Sequence, residues 1–251
     1  MTQPDLSNRI ILVTGAGGGI GAEVARSLAR HGATVALLGR GTRALERLYD
    51  DIVADGSPEP AICHFKLDSE PPEAYEQLAA TLADTFGRLD GLLHNAARLH
   101  GLAPLANLPL SEWLPAVQVN LNAPFMLTQV CLPLLKQSTD ASVVFTLDGA
   151  ALEGRAYYGA YGACKWAQQG MAHMLARETE ANTRIRVNTI DPGPVGTQLR
   201  STIATGTPSS EFASPDAIVP AYLYLLGPDS RDCNDRHFNA GDDGPWSVYA
   251  D

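Results

Sequence analysis

A tyrosine and a lysine stand four residues apart in the second half of the chain, at Tyr161 and Lys165. The apolar spacing around them predicts a helix over 157–181, and residues at i and i+4 share one helix face. An ammonium beside a phenol favours the phenolate, so we expect Lys165 to lower the pKa of Tyr161 from its ordinary value of about 10. Tyr161 could then exchange a proton with a substrate near neutral pH. Alone, the pair is weak evidence, since many helices carry an aromatic residue and a lysine one turn apart.

A glycine-rich segment follows the first predicted strand. It reads Thr14-Gly15-Ala16-Gly17-Gly18-Gly19-Ile20-Gly21 and leads into an amphipathic helix. Glycines at such a turn let the backbone approach a pyrophosphate, and the helix N-terminus offers free N–H groups. No Lys-Ser or Lys-Thr pair follows, which disfavours a P-loop NTPase. The segment predicts a dinucleotide site, with a glycine-rich turn that binds no ligand as the alternative. The residues we expect to contact the dinucleotide are Gly15, Gly17, Gly19, Ile20 and Gly21.

The end of the second predicted strand indicates which dinucleotide would bind. An acid at this point would hold the ribose 2′-hydroxyl of NAD, but this chain has Gly39-Arg40. Arg40 could form a bidentate pair with a 2′-phosphate, so NADP(H) is favoured and NAD(H) is the second choice. Alternatively, Arg40 is a solvated residue at a helix start, because Gly18 leaves no second basic group in the glycine loop.

Short apolar, β-branched runs alternate with amphipathic stretches along the chain. We predict strands over 9–15, 33–39, 61–68, 89–96, 141–147, 184–191 and 236–241, and helices over 21–32, 42–55, 72–87, 111–137, 157–181 and after Ser214. Strands separated by helices need crossover connections, which produce a parallel sheet covered on both faces. We therefore predict a single doubly wound α/β domain over 1–251, with about seven parallel strands and a flexible substrate loop at about 195–214.

Five motifs occur in a fixed order at compatible spacings. They are Thr14-Gly15-x-x-x-Gly19-x-Gly21, His94-Asn95-Ala96-Ala97, Asn120 after a valine, Tyr161-x-x-x-Lys165, and Asp191-Pro192-Gly193 with Thr197. With these motifs the sequence resembles the short-chain dehydrogenase/reductase family over nearly its whole length. The resemblance implies a Rossmann-type fold, a nicotinamide cofactor and hydride transfer between that cofactor and a carbonyl or alcohol.

The resemblance also implies roles for individual residues. Tyr161 would give a proton to the alkoxide in carbonyl reduction, or act as the base in alcohol oxidation. Lys165 would hold the nicotinamide ribose, and Asn120 would support a water that connects Lys165 to solvent. Asp68 would lie beside the adenine, and Asn95 would stabilise the fourth strand next to the cofactor. The nicotinamide would be covered by Pro192, Gly193, Val195 and Thr197.

The serine that the family uses in catalysis is replaced in this chain. The family carries it about thirteen residues before the tyrosine, and the residue at that position is Asp148. A serine donates a hydrogen bond to the substrate oxygen, whereas an ionised carboxylate only accepts and repels both alkoxide and tyrosinate. Loss of one such donor elsewhere slows catalysis by about 10²–10³. Thr146, on the same strand face, lies too deep to substitute.

Three interpretations of Asp148 stay open. An apolar pocket could keep it protonated as a hydrogen-bond donor, or the substrate could be a cation or amine that needs an anionic partner. Alternatively, Asp148 begins an Asp-Gly turn and faces away from the site. We expect an NADP(H)-dependent oxidoreductase for a small carbonyl or alcohol, with a catalytically impaired nucleotide-binding protein as the alternative.

The substrate end of the site is expected to be mostly apolar. That character suits a small hydrophobic carbonyl compound. The six histidines show no metal-ligand spacing, so we expect no metal. The residues expected to line the substrate pocket are Leu99, Ala150, Tyr158, Pro194, Leu199 and Ile203.

Composition restricts the partners. The chain has 251 residues, and its 18 basic and 28 acidic side chains give a net charge of −10, which opposes binding to nucleic acid. Four widely spaced cysteines suggest neither disulfides nor zinc, so we expect the protein to lie in a reducing cytoplasm. Without a long apolar run, we expect no membrane segment.

The predicted helices over 111–137 and 157–181 carry apolar faces, and the resemblance implies homodimers or homotetramers built from them. A purely structural subunit is a third possibility.

Overall fold

The computed structural model describes residues 4–246, and within that range seven strands form one sheet. The strands are β1 (Ile10–Thr14), β2 (Thr34–Gly39), β3 (Ala61–His64), β4 (Gly91–His94), β5 (Ala141–Thr146), β6 (Ile185–Asp191) and β7 (Arg236–Asn239). Their order across the sheet is β3-β2-β1-β4-β5-β6-β7. Neighbouring strands pair in parallel, so the predicted doubly wound α/β sheet is confirmed.

Helices connect the strands and cover both faces of the sheet. They are α1 (Gly19–Arg30), α2 (Thr42–Ala54), α3 (Pro72–Phe86), α4 (Leu110–Val117), α5 (Ala123–Leu135), α6 (Gly149–Leu152), α7 (Gly159–Glu180), α8 (Gln198–Ile203) and α9 (Val219–Leu226). Among residues 4–246, none of them has the length and apolar character that a membrane span requires.

Two separate hydrophobic cores lie on the two faces of the sheet. Successive side chains of a strand point to opposite faces. Ile11 and Val13 of β1 therefore pack in the core formed with α1, α2 and α9, whereas Leu12 packs in the core formed with α3, α5 and α7. Burial on both faces explains why the inner strands β1, β2, β4 and β5 are continuous apolar runs rather than alternating ones.

The chain order reverses between β1 and β4. The chain runs from β1 outward to β3 on one side, then crosses back to place β4 on the other side of β1. In open parallel sheets, ligands bind outside the carboxyl ends of the strands at such a reversal. The glycine loop leaves β1 at this point, and Asn95 leaves β4 beside it. The fold thereby joins two motifs that lie about eighty residues apart.

The helix predicted over 111–137 is interrupted. A π-helical turn covers Gln118–Asn122, between α4 and α5. Pro124 explains the interruption, because it has no N–H to donate to the carbonyl four residues earlier, at Asn120. The Asn120 carbonyl therefore lacks its usual donor four residues later.

Two other predicted boundaries differ from the structure. The helix predicted over 157–181 begins only at Gly159, because Tyr157 has a φ of 74°, a left-handed conformation that does not continue a right-handed helix. The stretch from 201 to 214, expected to be a loop, contains the end of α8 and a 3₁₀ turn at Ser209–Glu211. The ends of the expected substrate loop are tied by a bridge between Val195 and Ala213.

Candidate active site

The glycine loop turns sharply between β1 and α1. Gly15 has a φ of 71°, and a Cβ there would lie 2.9 Å from the Cα of Ala96, so the turn requires glycine. A Cβ on Gly21 would clash with the carbonyl oxygen of Gly15 and approach the side chain of Asn95. Gly21 therefore packs behind the loop, not toward a ligand. No side chain caps the start of α1, which leaves its first N–H groups available at the loop.

Thr14 ties the end of β1 to the segment that follows β4. Its hydroxyl donates to the carbonyl of Leu93 at 3.1 Å and accepts from the backbone N–H groups of Asn95 at 2.9 Å and Ala96 at 3.0 Å. The Asn95 amide donates back to the Thr14 carbonyl at 3.3 Å. These contacts fix the floor of the cleft at the point where the chain order reverses.

A cleft of about 610 Å³ opens at the carboxyl ends of the strands. Gly17, Gly21 and Asn120 do not line it, contrary to expectation, whereas Gly18 does. Over the described part of the chain, no three His, Cys, Asp or Glu side chains are grouped to hold a metal ion. The predicted cofactor-binding and catalytic residues that line the cleft are Gly15, Gly19, Ile20, Arg40, Asp68, Asn95, Asp148, Tyr161, Lys165, Pro192, Gly193, Val195 and Thr197.

Two arginines flank Asp68 at one end of the cleft. The Nη1 atoms of Arg40 and Arg98 each lie 3.9 Å from the Asp68 Oδ2 atom, and the Arg40 side chain is 74% exposed. The Nη2 atom of Arg98 also lies 3.7 Å from a carboxylate oxygen of Glu112. The buried Nε atom of Arg98 has no hydrogen-bond partner among residues 4–246. At these distances the ion pairs are weak, so both guanidinium groups can bind an added anion.

Asp148 occupies the position of the expected serine and lines the cleft. Its Oδ1 atom accepts a hydrogen bond from the backbone N–H of Ala151 at 3.3 Å, so it caps α6. Its Oδ2 atom accepts from the hydroxyl of Tyr161 at 3.0 Å. Asp148 does begin a helical turn, but the interpretation in which it faces away from the site is wrong.

The pKa of Tyr161 moves in the direction opposite to the prediction. Burial raises this pKa well above the ordinary value of 10, and the charge and hydrogen bond of Asp148 raise it further. Arg200 opposes the shift but does not overcome it. The Lys165 ammonium lies 5.5 Å from the centre of the tyrosine ring, over its face, while the hydroxyl is bound to Asp148. Tyr161 therefore keeps its proton at neutral pH.

Lys165 is buried beneath the cleft, and its bound acceptors are neutral. Its ammonium donates to the carbonyl of Thr146 at 2.6 Å and to the Oε1 atom of Gln168 at 3.2 Å. Burial lowers the pKa of Lys165 from 10.5 to about 8, although the charges of Asp148, Cys164 and Asp191 raise it.

Asn120 holds the segment after β4 with its side chain. Its Oδ1 atom accepts from the N–H of Arg98 at 2.9 Å, and its Nδ2 atom donates to the carbonyls of Arg98 at 2.7 Å and Ala116 at 2.9 Å. Its own carbonyl accepts from the Nε2 atom of Gln168 at 2.5 Å. A side chain from α7 thus connects the Asn120 carbonyl to Lys165.

A second carboxylate approaches the site from β6. The Oδ1 atom of Asp191 accepts from the N–H of Gly193 at 2.9 Å. Its other oxygen lies so close to Gly149 that a Cβ at that position would clash with it. Gly149 therefore gives Asp191 the room to lie near the base of the cleft.

The substrate end is less uniformly apolar than expected. Leu99 and Leu199 line the cleft, while Ala150, Tyr158 and Ile203 do not but pack with Leu99 in an apolar cluster around Tyr161. Pro194 is exposed, and its carbonyl accepts from the N–H of Ala213, so it is not placed as a pocket residue. Charged and polar side chains share the lining, among them Arg98, His100 and Arg200.

Sequence reasoning missed several residues that the fold brings to the site. Arg98 directly follows the motif at 94–97, and Gln168 lies three residues after Lys165, so both stand beside recognised motifs. Arg200 lies three residues after Thr197, and its charge acts on Tyr161 by lowering the pKa of the tyrosine. Spacing to a known motif was the available signal in each case.

Comparisons with known proteins agree with this geometry. A family model for short chain dehydrogenases matches residues 9–207. The uncharacterized oxidoreductase YciK of Escherichia coli K12 is 42% identical over 235 residues, covering 94% of this chain and 92% of the relative.

Two solved structures carry a bound nucleotide. A short chain dehydrogenase from Shigella flexneri 2a, complexed with NADP, is 40% identical, covers 96% of this chain and 100% of its own, and superposes with a TM-score of 0.92. One from Escherichia coli CFT073, complexed with NADPH, is 41% identical with the same coverage and TM-score. With the family model, these likenesses show that the chain belongs to the short chain dehydrogenase family.

Proposed function

We propose that the protein is an NADP(H)-dependent oxidoreductase that transfers hydride between this cofactor and a small carbonyl or alcohol compound. The observation that carries the proposal is the hydroxyl of Tyr161, placed in the same cleft as the glycine loop, with the Lys165 ammonium over its ring. The bound nicotinamide would supply or accept the hydride. Tyr161 is the side chain that can supply the accompanying proton.

The residues of the cleft fit a dinucleotide phosphate. The uncapped N–H groups at the start of α1 suit a pyrophosphate. Arg40, which follows Gly39 where an acid would favour NAD, suits a 2′-phosphate, and Arg98 brings a second guanidinium nearby. Lys165 would bind the nicotinamide ribose. The NADP and NADPH complexes of the two related structures support this choice of cofactor.

The state of Tyr161 favours carbonyl reduction over alcohol oxidation. Since burial and Asp148 raise its pKa, Tyr161 holds its proton at neutral pH, as reduction requires, whereas oxidation needs the tyrosinate, which is then scarce. During reduction its O–H bond would break as an O–H bond forms on the substrate. The hydroxyl must first leave the Oδ2 atom of Asp148. That exchange adds to the barrier, because a hydrogen bond to a carboxylate is stronger than one to a neutral acceptor.

The same contact supports a second candidate, a nicotinamide-nucleotide-binding protein with impaired catalysis. Both oxygens of Asp148 accept hydrogen bonds, so the side chain offers no donor to a substrate oxygen in this arrangement. The phosphate-binding end of the cleft is unaffected by this substitution. The two candidates therefore share the cofactor and differ in turnover.

The apolar cluster around Tyr161 supports a small, largely apolar substrate. Leu99 lines the cleft and packs in this cluster with Tyr158 and Ile203. Steady-state and stopped-flow NADPH oxidation, screened over aldehydes, ketones and quinones, tests the proposal. Turnover of any of them supports the oxidoreductase, whereas NADPH binding without turnover throughout supports the impaired binder. Failure to bind either nicotinamide nucleotide would overturn both.

We also propose that the protein is a cytoplasmic homodimer or homotetramer. Large apolar side chains are exposed on two helical regions, including Phe125 of α5 and Trp166 and Met174 of α7. All four cysteines are free, as a reducing compartment requires. Light scattering of the purified protein tests the assembly, and a monomer at micromolar concentration would rule it out.

A further inference from the structure

Gln168 joins two groups that the catalytic site needs. Its Oε1 atom accepts a hydrogen bond from the Lys165 ammonium at 3.2 Å, and its Nε2 atom donates to the Asn120 carbonyl at 2.5 Å. The side chain is 1% exposed. Both ends of this amide are therefore used, and both partners belong to catalytic motifs.

The Asn120 carbonyl is available to Gln168 for a local reason. Pro124 cannot donate to it, and the π-helical turn at Gln118–Asn122 breaks the regular pattern of helical bonds. A buried carbonyl without a donor is costly, and Gln168 satisfies it. The amide donor of Gln168 thus meets a carbonyl that Pro124 cannot serve.

We propose that Gln168 is a positioning residue whose amide holds the Lys165 ammonium and links it to the Asn120 carbonyl. A glutamine amide does not ionise, so this link keeps the same charge over the pH range in which Lys165 titrates. Lys165 is thereby held toward the cleft by two neutral acceptors, Gln168 and the Thr146 carbonyl. The inference deepens the proposed function, since Lys165 serves the reaction only if that function is right.

The pKa of Lys165 depends directly on its hydrogen bond to Gln168. Removing an acceptor from an ammonium lowers its pKa, whereas placing a carboxylate beside it raises the pKa. The pKa of Lys165 already lies at about 8 because of burial. The other groups that face it come from β4, the ends of β5 and β6, and α7 itself: His94, Asp148, Asp191, Tyr161 and Cys164. None of these is altered by a substitution at Gln168.

The experiment uses NMR of the unliganded protein labelled with ¹³C at the lysine side chains. The chain has three lysines, Lys66, Lys136 and Lys165. The first two are exposed, and Lys165→Arg assigns the remaining signal. We expect Gln168→Met, which keeps the length of the side chain, to lower the pKa of Lys165 by about one pH unit. We expect Gln168→Glu to raise it by a similar amount.

Gln169→Met is the matched control, because Gln169 is the next residue of α7 and lines a different surface. It should leave the Lys165 titration unchanged. A purely structural role would lower the melting temperature of both Gln168 variants without opposite shifts of one lysine. If Gln168→Met or Gln168→Glu titrates Lys165 as wild type does, the proposal is overturned. Because no turnover is measured, this outcome is separate from failure of the proposed function.

Discussion

At the amino end of the sheet, two buried arginines share one carboxylate. The guanidinium groups of Arg9 and Arg186 both bind Asp140, the former at 2.8 Å, and the remaining donors of Arg186 bind Ser230 and the carbonyl of Gly227. At the carboxyl end, Lys165 is equally buried, but its bound acceptors are neutral. In the first cluster most of the guanidinium donors bind a carboxylate or a carbonyl of the protein. In the second, the Lys165 ammonium makes no direct bond to a carboxylate.

Stability rises with pH at both clusters, but in different pH ranges and for opposite reasons. Burial raises the pKa of Asp140, but the charges of Arg186 and Arg9 outweigh it and hold the pKa below the ordinary 3.8. Asp140 therefore adds stability above that value and loses it as pH falls through the folded pKa. The pKa of Lys165 is lowered to about 8, so the unfolded chain binds more protons between about 8 and 10.5 and stability rises with pH there. The paired charges around Asp140 stabilise the fold. The Lys165 ammonium costs stability when charged, but it lines the cleft and is available to a ligand.

Loss of the proton donor should have the largest effect. Tyr161→Phe should reduce turnover by about 10³, or about 4 kcal/mol of barrier, while cofactor affinity and melting temperature stay near those of wild type. Only the hydroxyl that binds Asp148 is lost. Steady-state kinetics with NADPH and a fluorescence titration measure the two effects. Turnover within tenfold of wild type would remove Tyr161 from the mechanism.

Loss of the shared carboxylate should have the next largest effect, on stability alone. Asp140→Ala leaves two buried guanidinium groups without their anion, which should lower the free energy of unfolding by about 3 kcal/mol. The control is Asp51→Ala, because Asp51 pairs with Arg26 at 2.9 Å while its side chain is 57% exposed. That change should cost less than about 0.5 kcal/mol. Urea unfolding followed by circular dichroism measures both losses of stability. Equal losses would contradict the claim that the buried ion pairs of Asp140 contribute more than the exposed pair of Asp51.

A serine in place of Asp148 should increase the rate of carbonyl reduction. Asp148→Ser frees the Tyr161 hydroxyl and supplies a donor, so carbonyl reduction should become at least about tenfold faster, or about 1.4 kcal/mol. Serine is also a good N-cap, so α6 is kept. Asp148→Asn should help less, because its amide donor is placed differently. If Asp148 instead acted as a protonated donor, Asp148→Asn would keep activity, Asp148→Ala would lose it, and wild-type activity would fall as pH rises. Equal rates for wild type, Asp148→Ser and Asp148→Ala from about pH 5 to about pH 9 would leave Asp148 as a helix cap alone.

The smallest effect is expected at Arg40, whose exposed charge is screened by solvent. Arg40→Asp should weaken NADPH binding by about fivefold, or about 1 kcal/mol, with little effect on NADH. Fluorescence titration of both nucleotides measures the preference. An unchanged ratio, or tighter NADH binding by wild type, would contradict the assignment of Arg40 to the 2′-phosphate.

Local patterns predicted the parts of this site that depend on local geometry. The glycine loop, the Tyr161–Lys165 pair and the alternation of strands and helices depend on spacing along the chain, and the structure shows each of them. The pKa of Tyr161 was predicted wrongly because spacing gives neither burial nor the direction of the hydroxyl. The bond from Gln168 to Asn120 joins residues 48 positions apart and depends on Pro124, so no single motif contained it.

The contacts of Asn120 make one wall of the cleft rigid. Its side chain binds both the N–H and the carbonyl of Arg98, and its carbonyl is bound to α7 through Gln168. The segment after β4 cannot swing outward without breaking these bonds and loosening α7, so the two open as one cooperative unit. The facing wall, residues 195–214, is tied across its ends by the Val195–Ala213 bridge. Opening the cleft on the Asn120 side therefore requires the loss of contacts on α7 as well.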